Sequence, residues 1–325
     1  MADITLKKLT ASQFQVASAG TTGKKLTLNE QQGALLMAMV SDRSLLGDFT
    51  KGVRTLTTNE LGIQVQRLQI PAISLKTGVG AGTPGKFRVS APVVVNWNQP
   101  FKMYEAYTAA EKTLGKVAAA SSKLELMLKT FARACERSGF EQLEQAIKSE
   151  NAAEAFDWTT KPANEIYSKI VDLATEITEL YDAEQGIDLI DRENIVIHVK
   201  PRLFDKIAQA GMIGNRVDVS YELGQYGVST IGGYVIKANP FLRDYEAIIG
   251  ADFAAAEGRK VLAANAGSLG DLSNDEGAYF EGLNAFGVIT KKVLKGIYKT
   301  ANKTTSSENY LVTAPKNAPA INDPA

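Results

Sequence analysis

Two alternating runs separated by a glycine-rich stretch constrain this chain more than any other feature in it. Ile63-Gln64-Val65-Gln66-Arg67-Leu68-Gln69-Ile70 alternates apolar and polar residues, the period-two pattern of a half-exposed strand. A second run, Lys86-Phe87-Arg88-Val89-Ser90-Ala91-Pro92-Val93-Val94-Val95-Asn96-Trp97, answers it. Between them, Thr77-Gly78-Val79-Gly80-Ala81-Gly82-Thr83-Pro84-Gly85 is too rich in glycine for regular structure and reads as a mobile tip. The pair predicts a long two-stranded arm, and an isolated hairpin is marginal in water unless it packs on a partner. A chain carrying such an arm is expected to find its hydrophobic backing on adjoining molecules.

The same glycines admit a phosphate-loop reading, because Gly78, Gly80 and Gly82 could bring backbone amides to an anion. Its context is missing: Lys86 is followed by Phe87 and a strand, where a P-loop needs Ser or Thr and then a helix. His198 is the one histidine among 325 residues, so a multi-histidine metal site and any relay through a second imidazole are excluded. Set in Ile195-Val196-Ile197-His198-Val199, it is expected to face the polar side of a strand. Cys135, the one cysteine, cannot form an intrachain disulfide and is expected to be a small buried hydrophobe. The 36 basic and 36 acidic residues balance, which gives no global attraction to nucleic acid or anionic lipid. No apolar run approaches the about 20 residues needed to cross a bilayer. No nucleophile elbow, HExxH, CxxC or kinase-like signature occurs, so no catalytic, cofactor-binding or metal-binding residue is assigned.

Elsewhere the pattern alternates between helix and strand. Met1–Leu61 holds few apolar anchors besides Gly33-Ala34-Leu35-Leu36-Met37-Ala38-Met39-Val40, and is expected to be ordered by lying against something else, such as a neighbouring subunit. Leu124, Met127, Leu128, Phe131 and Cys135 recur at helical spacing and predict a long amphipathic helix that stops at Gly139. After Pro162, a second helix is expected with Ile166, Ile170, Leu173, Ala174, Ile177 and Tyr181 on one face, closed by Gly186. The strand Ile195–Val199 follows, then a short helix after Pro201 with Leu203, Phe204 and Ile207 inward and Gly211 as its stop. Gly232-Gly233 predicts a sharp turn into Tyr234-Val235-Ile236-Lys237-Ala238. Further short strands are expected at Ile248–Ala251 and Phe286–Ile289, and the Asn-, Thr-, Ser- and Pro-rich tail after Thr300 is expected on the surface or disordered.

This order of polar arm, long strand pair, long helix, then helix, strand, helix and glycine-fed strand resembles the major capsid proteins of tailed bacteriophages. These have the Hong Kong ninety-seven type fold, shared with encapsulins and herpesvirus capsids. Ile195 to Gly211 is similar to the strand, proline and short helix of the family's axial domain, and Gly232 to Leu242 to the strand that follows it. Ile63 to Asn98 and the helix around Val117 to Ser138 are similar to its extended loop and spine helix.

The resemblance implies an α+β phage major capsid fold. Its parts would be an N-terminal arm (1–61), an extended two-stranded loop (62–99), a peripheral domain with a long spine helix (100–161), an axial domain (162–281), and a return to the peripheral domain with a C-terminal tail (282–325). It further implies a non-enzymatic protein, without cofactor, that self-assembles into hexamers and pentamers of an icosahedral head around double-stranded DNA. Such a protein is assembled in the host cytoplasm and resides in the virion. Its partners would be copies of itself, scaffolding, portal and decoration proteins, and packaged DNA held by weak nonspecific contact, with no membrane. The extended loop would touch neighbouring subunits through Gln64, Gln66, Leu68, Lys76, Gly78, Gly80, Gly82, Lys86, Phe87 and Val89. Some family members cross-link a loop lysine to an asparagine, but Lys76 and Lys86 have no matching acceptor pattern and read as solvated charges. Met1–Leu61 is too short for a fused scaffolding segment, so a separate scaffolding protein is expected. An encapsulin-type nanocompartment shell stays open within the fold. From another class, an enzyme with an acid–base pair of Asp, Glu, Lys or Tyr in a cleft stays open as well.

Overall fold

The computed structural model describes residues 15–17, 25–27, 44–51, 54–55, 62–65, 69, 93–98, 100–108, 116–216, 228–268 and 276–299. Strands β1 (Gln15–Ala17), β2 (Lys25–Thr27), β3 (Arg54–Thr55), β4 (Gly62–Val65), β5 (Val93–Asn96) and β6 (Phe101–Ala106) precede the helix α1 (Lys116–Ser149). Then come β7 (Ala153–Ala155), α2 (Ala163–Thr178), β8 (Tyr181–Asp182), β9 (Ile187–Asp188), β10 (Ile195–Val199), α3 (Pro201–Gln209), β11 (Gly214–Arg216), β12 (Val228–Ile231) and β13 (Tyr234–Ala238). The described chain closes with β14 (Ala247–Ala251), β15 (Ala255–Ser268), β16 (Glu276–Val288) and β17 (Leu294–Tyr298), and a 3-10 turn at Leu46–Phe49 lies between β2 and β3.

These strands form two main sheets. One has six strands in the order β1-β2-β15-β16-β6, with β3 also on β15; the other has seven, in the order β11-β12-β13-β10-β14-β17-β7. The seven-stranded sheet carries α2 and α3 and is backed by the large core, where Ile166, Ile170, Leu173, Ile177, Leu203 and Ile207 are all buried. Gly232 and Gly233, with φ of 58° and 88°, make the β12–β13 turn, which needs positive φ at both central positions and so needs glycine.

Helix α1 joins the two sheets. At 34 residues it is about 51 Å long by the rise of about 1.5 Å per residue. Up to Cys135 it buries Leu124, Met127, Leu128, Phe131 and Cys135 against Ala264, Ala278 and Phe280 of the six-stranded sheet. Its second half buries Phe140, Leu143 and Ile147 in the large core instead. One rod is therefore shared by two cores.

Several expectations are corrected. The helix does not stop at Gly139 but runs on to Ser149. Gly139 is a notch: a Cβ there would lie 2.2 Å from Leu46 Cδ1, so the glycine exists to admit that side chain and not to cap the helix. Tyr181 is not on the face of the second helix, which ends at Thr178; it is exposed in β8, and Gly186 sits in the β8–β9 turn. The domain boundary expected at Glu281 falls inside β16. Leu294–Tyr298 pairs with β14 of the seven-stranded sheet, although a return to the peripheral domain was expected of the closing strands. His198 does not face a polar side, because β10 has neighbours on both edges and is buried along its whole length. Part of Met1–Leu61 lies against the chain's own body: Leu46 and Phe49 are fully buried in the large core.

Candidate functional site

The loop expected to meet neighbouring subunits is described at its base. There β4 and β5 pair antiparallel, Ile63 opposite Val95 and Gln64 opposite Val94, as the alternation in both runs requires. One face turns inward: Ile63 and Val95 pack on Ala285 of β16, and Gly287 makes room for Val95, where a Cβ would lie 2.8 Å from its Cγ2. The opposite face, with Gln64 and Val94, is open to solvent, and Val94 is 55% exposed. The base of the arm therefore has hydrophobic backing on its own chain, which corrects the expectation that this backing comes from adjoining molecules alone. Gln66, Leu68, Lys76, Gly78, Gly80, Gly82, Lys86, Phe87 and Val89 lie outside the described residues.

Two buried polar clusters, neither apparent from sequence motifs, hold the arm-bearing body together, and both are completed by the short segment Ser44–Lys51. In the first, Asp48 reaches into the seven-stranded sheet. Its Oδ2 lies 2.9 Å from Nε2 of His198, and its Oδ1 accepts a 2.7 Å hydrogen bond from Lys237 Nζ. Asn239 Nδ2 lies 3.1 Å from the other imidazole nitrogen, Nδ1, while Asn239 Oδ1 accepts from the Phe241 amide. An amide donor on Nδ1 and a carboxylate on Nε2 select the neutral tautomer protonated at Nε2. Burial holds the His198 pKa below its usual value, with Asp48 opposing it. For Asp48, burial acts against the charge, but His198 and Lys237 outweigh it and hold the carboxyl below the usual range. The rings of Phe49 and Phe140 flank the imidazole at 4.8 and 5.6 Å. This is the environment of a packed core histidine without a nucleophile beside it.

The second cluster lies where α1 passes from one core to the other. Arg259 of β15 is 1% exposed; its Nη2 donates to Glu136 of α1 at 2.8 Å and to Ser44 at 3.0 Å, and its Nε donates to Glu257 at 2.7 Å. Ser44 Oγ in turn donates to Glu136 at 2.5 Å, and the Leu46 amide to the other Glu136 oxygen at 3.2 Å. Satisfaction is incomplete: Glu257 Oε2, Arg259 Nη1 and both polar atoms of the buried Asn284 side chain, which faces Arg259 across the ladder, make no hydrogen bond. Burial pushes the Glu257 pKa up to about 7, with Arg259 opposing and Glu136 adding to the rise. The Cys135 thiol, buried beside this group, is pushed up to about 12 and is inert as a nucleophile. One further carboxylate ties α1 to the seven-stranded sheet. Glu144 accepts from the amides of Arg243 and Asp244 at 2.8 and 3.3 Å, and burial raises its pKa to about 7 against those hydrogen bonds.

Two sheets bridged by one long helix, with the β4–β5 pair packed on one of them, define the α+β class of this fold. More particularly, it is the phage capsid fold of the Hong Kong ninety-seven type, as comparison with solved structures shows. A chain from the capsid structure of the cyanophage P-SCSP1u matches with a TM-score of 0.53 at 12% identity, over 78% of this chain and 86% of that one. A chain from Mycobacterium phage Bobi matches with a TM-score of 0.51 at 9% identity, over 76% and 88%. No protein-family model and no curated protein matches the sequence.

Proposed function

We propose that the chain is a major capsid protein that self-assembles through hexamers and pentamers into an icosahedral phage head enclosing double-stranded DNA, with the extended loop as an inter-subunit contact. The observation that carries this is the shared fold with the cyanophage capsid chain over most of both chains. Two local features support it. The hairpin β4–β5 presents Gln64 and Val94 outward from an anchored base, which suits contact with another subunit. The buried clusters around Asp48 and Arg259 tie the segment Ser44–Lys51 to both sheets, which suits a structural role. On this reading the virion is its location, and scaffolding, portal and decoration proteins are its further partners. Negative-stain electron microscopy of the purified full chain tests the reading: closed particles or capsomer rings are expected. A protein that stays a single molecule at all concentrations would remove the proposal, and particles that carry a protein cargo in place of nucleic acid would move it to an encapsulin-type shell.

A further inference from the structure

The outer face of α1 is basic at its centre. Leu124, Met127, Leu128, Phe131, Cys135 and Glu136 form the buried arc, and at 3.6 residues per turn the middle of the opposite arc is Leu126, Thr130, Arg133 and Arg137, all exposed. Arg133 and Arg137 stand one turn apart, about 6 Å along the axis. No hydrogen bond or ion pair reaches either guanidinium among the described residues. Of the acidic neighbours, Glu125 holds Lys129 at 2.7 Å, and the half-exposed Glu141, one turn from Arg137, lies 4.0 Å from Arg243. Among the described residues, basic groups elsewhere mostly have carboxylates, as Lys200 has Glu246, Lys237 has Asp48 and Lys295 has Glu176. Two adjacent unpaired arginines are thus a local excess of positive charge in a chain whose total is balanced.

We infer that this face of α1 is the inner, nucleic-acid-facing surface of the assembled subunit, where Arg133 and Arg137 take phosphates of the packaged duplex. The inference rests on the shell reading for the DNA and on the helix for the surface. A guanidinium presents a planar fork of donors that matches phosphate oxygens. Two guanidinium groups one helical turn apart on flexible side chains can reach neighbouring phosphates of one strand. An exposed helix face whose other central residues are Thr130 and Leu126 suits backbone contact and adds no amide or carboxylate side chain to read bases. Two contacts per chain are weak alone, and a closed shell repeats them over every copy.

Binding of a labelled short random-sequence duplex to the full chain, followed by fluorescence anisotropy across a salt series, tests the assignment. Arg133→Gln with Arg137→Gln should lower the slope of log affinity against log salt by about 2, and Arg202→Gln, exposed on α3, should leave it unchanged. No binding by the wild type, an unchanged slope in the double variant, or an equal loss with Arg202→Gln overturns the inference. So does a double variant that binds DNA normally but forms no particles, which would make the face a subunit contact. Electron micrographs of the same preparations separate this inference from the shell reading. Particles with an unchanged slope remove the DNA surface alone, while a lowered slope in a chain that never assembles supports the surface and removes the shell.

Discussion

Asp48, within the segment Ser44–Lys51, and Glu136, bound to that segment through Ser44, are both carboxylates drawn into the protein, and the clusters around them answer acid in opposite ways. The Asp48 cluster is closed by neutral or peripheral partners. His198 is uncharged, Asn239 bridges it to the backbone, and Lys237 remains partly in water. The Arg259 cluster buries a full cation between two carboxylates and leaves polar atoms unmatched. His198 has a folded pKa below 6.5, so its contribution is present above that value and is lost as pH falls. Glu257 has a folded pKa of about 7 against 4.5, so its contribution is present at acid pH and is lost as pH rises through that window. One cluster resembles a settled core; the other is held by the structure at a cost that proton uptake relieves.

The largest effect is expected where that difference is sharpest. Arg259→Met strands Glu136 and Glu257 in the interior and should destabilise the chain by about 3–5 kcal/mol in chemical denaturation. Combining it with Glu136→Gln and Glu257→Gln should restore most of the loss, because the cost is the uncompensated charge and not the missing attraction. Equal stability of the single and triple variants would show that Arg259 acts through packing.

The 3-10 turn between the clusters supplies the next test. Leu46→Ala should cost about 2–5 kcal/mol, since the side chain is fully buried in the notch of Gly139. Gly139→Ala should also destabilise, although alanine is the better helix former by about 1 kcal/mol, because its methyl meets Leu46. The double variant should cost less than the sum of the two, with the new methyl entering the space that Leu46 leaves. Strict additivity in thermal unfolding would mean that the two residues do not share that space.

Much of the large core was legible from sequence, and much of the smaller one was not. The spacing of Ile166, Ile170, Leu173 and Ile177, the run Ile195–Val199 and the glycine pair at 232 and 233 each followed from local rules, and each element stands where those rules put it. Of the two longest strands, β15 was not read and β16 was read only at its end from Phe286, because alanine and glycine give them little strand propensity. Their small residues answer a tertiary demand: α1 lies so close that a Cβ on Gly282 would sit 2.8 Å from the Phe131 ring. The buried charges were invisible for a related reason, since Glu136 reads as a solvated helix position until Ser44 and Arg259, 92 and 123 residues away in sequence, are brought to it. Of the loop residues expected at the interface, Gln64 alone is described, and its outward face follows from the alternation.

A pH series gives a smaller effect with a definite sign. Between about pH 4.5 and 7 the folded chain binds protons at Glu257 and Glu144 that the unfolded chain releases, so these two groups favour the folded state toward the acid end. His198 pulls the other way below 6.5. Glu257→Gln removes one acid-stabilised term, and the stability of this variant should fall more steeply on acidification than that of the parent, by about 1–3 kcal/mol across the window. Parallel profiles would mean that Glu257 is ionised throughout.

The smallest effect on folding is expected at the hairpin base, which belongs to neither cluster. Val94 is 55% exposed opposite Gln64, while Val95 is buried on Ala285. Val94→Lys removes little from the folded chain and should change its stability by no more than about 0.5 kcal/mol, whereas Val95→Lys would break the anchor. If the outward face meets a second copy, Val94→Lys places a charge in that contact and should lower the yield of closed particles at unchanged melting temperature. The separation of the two readouts is what the loop proposal demands. An exposed valine that serves only as solvated strand would leave both alone, and one that matters to the lone chain would move the melting temperature first.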